Sequence, residues 1–278
     1  MKDRGGFAVR LREWRERRGL SQLALALAAD VSQRHVSFLE LGRSTPSREM
    51  VLRLAAALDL PLREQNALLL AAGYAPVWRE SALGAPELAV VRRALDLMLA
   101  QQEPYPAFVV DRRWNLLLAN GGARRLVSFL AGAPEPEPAS PINLADALLA
   151  PDALRPLIAN WRDVALYFVR GVRADALHDG TAETAALLER LLAYPGVPRA
   201  AELPAADDPH APVLAMHLVK GDTTLRLFTT LATLGVPRDV TVQEIRVECF
   251  FPADETTAAT FQRWAACADS STPAEMRR

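Results

Sequence analysis

An α+β fold in two parts follows from three features of the sequence. The first 72 residues carry apolar side chains at helical spacing, broken at short intervals by capping serines and helix-ending glycines. The remainder alternates helical stretches with short β-branched and aromatic runs, separated by Gly- and Pro-rich breaks. Charge is divided in the same way. Residues 1–48 hold ten Lys/Arg against five Asp/Glu, whereas residues 81–278 hold nineteen against twenty-four. A basic head on an acidic body is the footprint of a nucleic-acid module joined to something else. The 278 residues, half of them hydrophobic, are enough for one small and one larger core. The spacing places the small helical domain at 1–75 and the larger α+β domain at 86–268.

The head reads as five helices. Phe7, Leu11 and Trp14 share one face of a helix over 7–18, and Gly19 closes it. Ser21 caps a second helix, SQLALALAA, with Leu23, Ala26 and Leu27 turned inward. After the turn at Asp30-Val31, Ser32 caps a third, QRHVSFLEL, with Val36, Leu39 and Glu40 facing the first two, and Gly42 ends it. REMVLRLAAALDL, stopped by Pro61, and LREQNALLLAAG complete the set.

Two short helices joined by a tight turn, the second polar on its outer face, form a helix-turn-helix. The major groove, about 12 Å wide, admits one helix. The leading end of that helix must be polar to reach base edges, and its other face must be apolar to dock on the scaffold. SQRHVSFLELGRSTPS meets both demands.

Over residues 11–58 the chain resembles the phage-repressor (XRE) class of helix-turn-helix, most specifically in LSQLALA and VSQRHVSFLELGRSTPS. The resemblance implies that Gln33 and Arg34 lie over base edges, with Ser32 and Phe38 beside them. It implies phosphate contacts, or support for them, from Ser21, Gln22, His35 and Arg43. Phe38 departs from the polar residue common at that position; a thymine methyl and the protein itself are both open to it. Arg15 and Glu40 match a partly buried ion pair that joins the first and third helices, so their role is structural.

GYAPVWRESALGAP, residues 73–86, is the junction. A helix then starts at Pro86 and runs to Gln102, with Leu88, Val91, Leu95 and Met98 on one face. PYPAFVVDRRWNLLLAN reads as two short strands joined at Asp111-Arg112-Arg113, and 122–130 as a helix. AGAPEPEPASP, residues 131–141, is a Pro-rich acidic spacer. Helices follow at 144–150, 152–170 and 182–193, the second with a stripe of Leu154, Leu157, Ile158, Trp161, Ala165 and Phe168. A stretch punctuated by Pro195, Pro198, Pro204 and Pro209 precedes three β-like runs, VLAMHLVK, TTLRLFTTLATL and TVQEIRVECFFP. A final helix, DETTAATFQRWAACA, is capped by Asp254 or Thr256. A small antiparallel sheet of about five strands with helices over it is expected.

FVVDRRWNLLLAN and LGVPRDVTVQEIRVECFFPADETT resemble the MmyB-like transcription regulator ligand-binding domain, over most of 86–265. That family implies a PAS-like fold enclosing a pocket and a small apolar ligand, with a fatty acid as the suggested class. From the residues alone, Phe108, Val110, Trp114, Leu116, Trp161, Phe168, Met216, Leu218, Leu225 and Leu227 offer an apolar lining, although for any single one plain core is the commoner role. Burying a dozen methylenes would yield roughly 10 kcal/mol gross, reduced sharply by association and ordering costs. Arg112, Arg113, Arg170 and Arg226 are alternatives for receiving a carboxylate.

Several function classes fare worse. Asp239, Glu244, Glu248, Asp254 and Glu255 suggest acid/base chemistry, but period two puts Glu244, Arg246 and Glu248 on one strand face where ion pairing is ordinary. His178, His210 and His217 are isolated from one another, and Asp207-Asp208 with His210 makes a poor metal site. Cys249 and Cys267 form no CxxC pattern, and no phosphate-binding glycine loop or GxSxG elbow appears. No enzyme and no cofactor is expected. The charged N-terminus lacks the apolar core of a signal peptide and no run reaches about 18 apolar residues, so a cytoplasmic location without membrane attachment is expected. The expected partners are double-stranded DNA, as an inverted repeat read by a homodimer, and a small apolar ligand. The alternative is a DNA-binding regulator whose larger domain binds a protein partner.

Overall fold

A computed structural model describes residues 4–132, 142–198, 213 and 215–271. The acidic spacer beyond Gly132, Pro204, Pro209 and the Asp207-Asp208-His210 stretch lie outside the described residues. The chain divides into two compact units. The first comprises Met1–Ala82 with Leu177–Gly180 and Val236–Gln243; the second comprises Leu83–Ala176, Thr181–Gly235 and Glu244–Arg278.

Five helices build the first unit: α1 (Arg4–Arg17), α2 (Gln22–Ala28), α3 (Gln33–Glu40), α4 (Arg48–Ala57) and α5 (Leu62–Ala71). Serines 21, 32 and 47 each accept a backbone N–H three residues on, which fixes where α2, α3 and α4 begin. Gly19 and Gly42, both at φ +67°, end α1 and α3 in the left-handed region that glycine enters without strain. Phe7, Leu11 and Trp14 of α1 join Val36, Leu39, Val51, Leu54, Leu68 and Leu69 in one buried cluster.

One inward face differs from expectation. Ala26 is buried as expected, but Leu23 and Leu27 are exposed, Leu27 at 74%, and Leu25 and Ala29 are buried in their place. Leucines alternate at 23, 25 and 27, so hydrophobicity alone leaves the phase of α2 open. The Ser21 cap and the 3.6-residue period select 25, 26 and 29.

The second unit is a five-stranded antiparallel sheet with helices on both faces. Its strands are β1 (Ala107–Val110), β2 (Leu116–Ala119), β3 (Ala215–Lys220), β4 (Thr223–Thr233) and β5 (Arg246–Pro252), in the order β2-β1-β5-β4-β3. The helices are α6 (Ala89–Gln101), α7 (Gly121–Ala131), α8 (Leu144–Leu149), α9 (Trp161–Asp179), α10 (Ala182–Ala193) and α12 (Glu255–Ser271). The short α11 (Val240–Glu244) precedes β5, and α9 and α11 carry the two excursions assigned to the first unit.

Strand alternation separates two apolar layers. Ala107, Val109 and Val247 point to one face, where Leu95 and Leu99 of α6 cover them. Phe108, Val110, Phe250, Leu225 and Leu227 point to the other, into a larger cluster closed by α7, α8, α9, α10 and Phe261 of α12. The α+β class follows directly, and β1, covered on both faces, is buried along its whole length.

Three local expectations fail here for identifiable reasons. A helix over 152–170 does not form; a 3-10 turn at Arg155–Leu157 is followed by an extended break, and α9 begins at Trp161. Pro156 supplies no N–H to a helix ladder and disfavours helical backbone before it. Ile158 bridges to Leu218, and Ala159 donates to the His217 carbonyl, so this stretch borders β3. Second, TVQE is the end of α11 and not strand; the Asp239 carboxylate accepts the Thr241 N–H at 2.9 Å and starts the helical turn. Third, Glu244 therefore does not share a strand face with Arg246 and Glu248. Glu244 pairs with Arg112 at 3.4 Å, Arg246 with Asp175 at 2.6 Å, and Glu248 is buried. Asp254, not Thr256, caps α12 by accepting the Thr257 N–H at 2.7 Å.

Candidate functional site: a recognition helix and an apolar core

The turn between α2 and α3 is short and tightly tied. Asp30 sits at φ +51°, which a short polar side chain tolerates, and Val31 donates to the Ala26 carbonyl at 2.9 Å. Helix α3 is thereby set against α1 and α2 by Val36 and Leu39, both fully buried. Its opposite side presents Ser32, Gln33 and Arg34, all exposed. Phe38 is half-buried and lies under the Arg34 guanidinium, 5.1 Å from the ring centroid. The two stand one helical turn apart, so the ring restrains the arginine before any partner arrives.

The expected contact residues divide by what their side chains already do. The Ser21 and Ser32 hydroxyls are used as helix caps. Gln22 donates to Glu40 at 2.8 Å. His35 is half-buried, while Gln33, Arg34 and Arg43 project into solvent.

Beneath them lies the ion pair that holds α3 to α1. Arg15 reaches Glu40 through Nε at 2.6 Å and Nη2 at 3.0 Å, and its Nη1 donates to the Leu20 carbonyl at 2.9 Å. The Glu40 side chain is only 3% exposed. The hydrogen bond to Glu40 holds the Arg15 guanidinium above its ordinary pKa. Gln22 is the third member of this network, and sequence reasoning missed it.

In the second unit, eight of the ten expected lining residues are buried in one cluster: Phe108, Val110, Trp114, Phe168, Met216, Leu218, Leu225 and Leu227. Leu116 and Trp161 are partly buried against the same cluster. Trp114 packs tilted on Phe168 at 4.7 Å. Leu116 also lines an open groove of about 480 Å³ between α6 and the β2 edge, together with Arg92, Asp96 and Ile142. Among the arginines considered for a carboxylate, Arg112 meets Glu244, Arg113 meets Asp111 at 3.8 Å, and Arg226 meets Asp254 at 3.7 Å. Arg170 lies half-buried on α9.

Glu248 is a further polar group in this core that the sequence did not single out as such. It alternates with Val247 and so faces the same layer as Phe250. Burial pushes its carboxyl up to about 7, against a hydrogen bond from Thr229 that favours the charged form. Tyr167 is raised as well, first by burial and then by the proximity of Glu248.

Among the described residues no His, Cys, Asp and Glu side chains group as a metal site, and no helix is long and apolar enough to cross a membrane. No curated protein matches the chain. Two family models do match. Residues 11–65 fit the helix-turn-helix family, and residues 91–263 fit the MmyB-like transcription regulator ligand binding domain. The second match covers more than half of the chain. The protein is a DNA-binding transcription regulator with a ligand-binding domain, and it belongs to the family of the MmyB-like transcription regulators.

Proposed function

We propose that this protein reads a specific DNA sequence through α3 and senses a small apolar ligand, of the fatty-acid class, in the second unit. The observation that carries the ligand reading is the convergence of all ten apolar residues on one cluster, inside the domain matched as ligand-binding. A sheet with helices over this layer also supports the PAS-like description. DNA is read by Gln33 and Arg34 over base edges, with Arg43 on phosphates. A homodimer would set two recognition helices about 34 Å apart on an inverted repeat. The ligand acts by binding unequally to two states of the protein, since equal affinity shifts nothing.

Organic extraction of the purified full-length chain followed by mass spectrometry tests the ligand reading. A stoichiometric apolar molecule is expected. A blank extract, repeated after incubation with fatty acids, would favour a protein partner for the second unit.

The DNA reading has its own test. Arg34→Ala is expected to relax base choice at one position of each half-site, by about 1–3 kcal/mol for a bidentate contact. Selection of binding sites from a random pool reads this out. A profile identical to that of the parent chain would remove Arg34 from its role.

A further inference from the structure

Trp114 is 4% exposed, and its indole Nε1 is shielded from solvent with no hydrogen-bond partner. Other tryptophans in the chain are satisfied: Trp78 donates to Gln65 at 2.8 Å and Trp161 to the Leu148 carbonyl at 3.1 Å. A buried donor left unpaired is uncommon in folded proteins, because it forfeits its bond to water and gains none in return. An acceptor that enters the core restores that bond.

The position of this indole is held firmly. Trp114 lies at φ +65°, a region that bulky residues rarely adopt. The turn around it is tied many times over. Asp111 Oδ1 accepts the N–H groups of Arg113 at 2.8 Å and Asn115 at 2.9 Å, and Asp111 Oδ2 accepts from Asn115 Nδ2 at 2.8 Å. The Trp114 N–H donates to the Asp111 carbonyl at 3.0 Å, and the Trp114 carbonyl accepts from Leu144 at 2.8 Å. A strained backbone kept in place by so many bonds is typical of ligand clamps. The tilted contact with Phe168 then fixes the plane of the ring.

The surroundings determine the kind of acceptor. Trp114 shares its cluster with Phe108, Val110 and Phe168. Arg112 and Arg226 are already engaged by Glu244 and Asp254. Glu248, an acid, faces the same layer of the sheet. A carboxylate anion placed here would lose its hydration to apolar neighbours and share the layer with another acid. An uncharged oxygen needs only the one donor.

We propose that Trp114 is the polar anchor of the ligand site, and that its indole N–H selects an apolar chain carrying an uncharged oxygen acceptor (an alcohol, ester, amide or protonated acid) over the bare hydrocarbon and over the carboxylate anion. This rests on the apolar-ligand reading above and revises its fatty-acid class: of a fatty acid, only the protonated form or its ester, amide or alcohol fits this donor.

The test uses the full-length chain labelled with ¹⁵N at its tryptophan indoles, with three probes of equal length at pH 8: n-tetradecane, 1-tetradecanol and tetradecanoate. Tetradecanol is expected to bind about tenfold more tightly than tetradecane, the worth of one hydrogen bond, and more tightly than tetradecanoate. One indole N–H resonance, identified by its proximity to the Phe168 ring, is expected to move downfield with the alcohol and not with the alkane. In Trp114→Phe the preference for the alcohol should vanish while the alkane still binds. Should that variant not fold, the indole resonance of the parent chain decides alone. Equal affinity for alcohol and alkane, an unmoved indole, or a preference that survives in Trp114→Phe would overturn the assignment to Trp114 and leave the apolar site standing. Failure of every probe, the alkane included, would remove the apolar site and the anchor together.

Discussion

Glu40→Ala is expected to cost the helix-turn-helix unit about 3–5 kcal/mol, the usual penalty for removing one partner of a buried ion pair. The carboxylate accepts two bonds from Arg15 and a third from Gln22, at 2.6, 3.0 and 2.8 Å. Its loss strands an arginine side chain that is 11% exposed. The Leu20 carbonyl remains to Arg15, and Glu16 remains at 3.5 Å, but the first carries no full charge and the second is a long contact to a half-exposed carboxylate. Denaturation of the full chain, followed by hydrogen exchange at amides of α1–α4, separates this unit from the other. The DNA affinity should fall with it, because α3 is docked on α1 partly through this pair. The double variant Arg15→Met/Glu40→Leu should recover most of the stability, since an apolar pair of similar volume avoids the desolvation of two charges. A loss below about 1 kcal/mol for Glu40→Ala would place the pair among ordinary surface bridges.

This pair also shows what the sequence reveals and what it hides. Arg15 and Glu40 were legible as partners only through the resemblance to known repressors, because they stand 25 positions apart. The caps at Ser21 and Ser32 are local, and so were the boundaries they set. The inward phase of α2 was not, because leucines at 23, 25 and 27 satisfy a hydrophobic pattern in more than one way. In the second unit the alternation of β3 and β4 was visible directly, and so was their burial of Met216, Leu218, Leu225 and Leu227 in one layer. The break before α9 is set by Pro156, a local signal outweighed in the reading by the apolar stripe from Leu154 to Phe168. The orphaned indole of Trp114 had no local signature at all. It depends on a left-handed backbone at a residue that sequence propensity assigns elsewhere, and on a core assembled from strands and helices far apart in the chain.

Glu248 belongs to the same class of hidden feature, and its expected behaviour is the sharpest pH effect among the described residues. Reading Glu244, Arg246 and Glu248 as an ion-paired strand face predicts a low-pKa carboxylate. In the structure Glu248 stands in register between Phe108 of β1 and Leu231 of β4 and is itself buried, and burial lifts it to about 7. The groups that sense it are Tyr167 of α9 and Cys249, both raised, with Arg246 acting on Tyr167 in the opposite direction. Between pH 4.5 and 7 the folded chain keeps a proton that the unfolded chain gives up, so stability falls as pH rises through this window. Below it both states are protonated and the effect is absent. Above it both are ionised and the penalty is full, about 3 kcal/mol by the conversion of a pKa difference into free energy. Glu248→Gln keeps the shape and a hydrogen bond to Thr229 but never ionises. Denaturation at pH 5 should therefore find the two chains close in stability, and at pH 8 should find the variant more stable by about 3 kcal/mol. Equal stability at both values would mean that water or a cation reaches the carboxylate, and that the core around Glu248 is wetter than its burial implies.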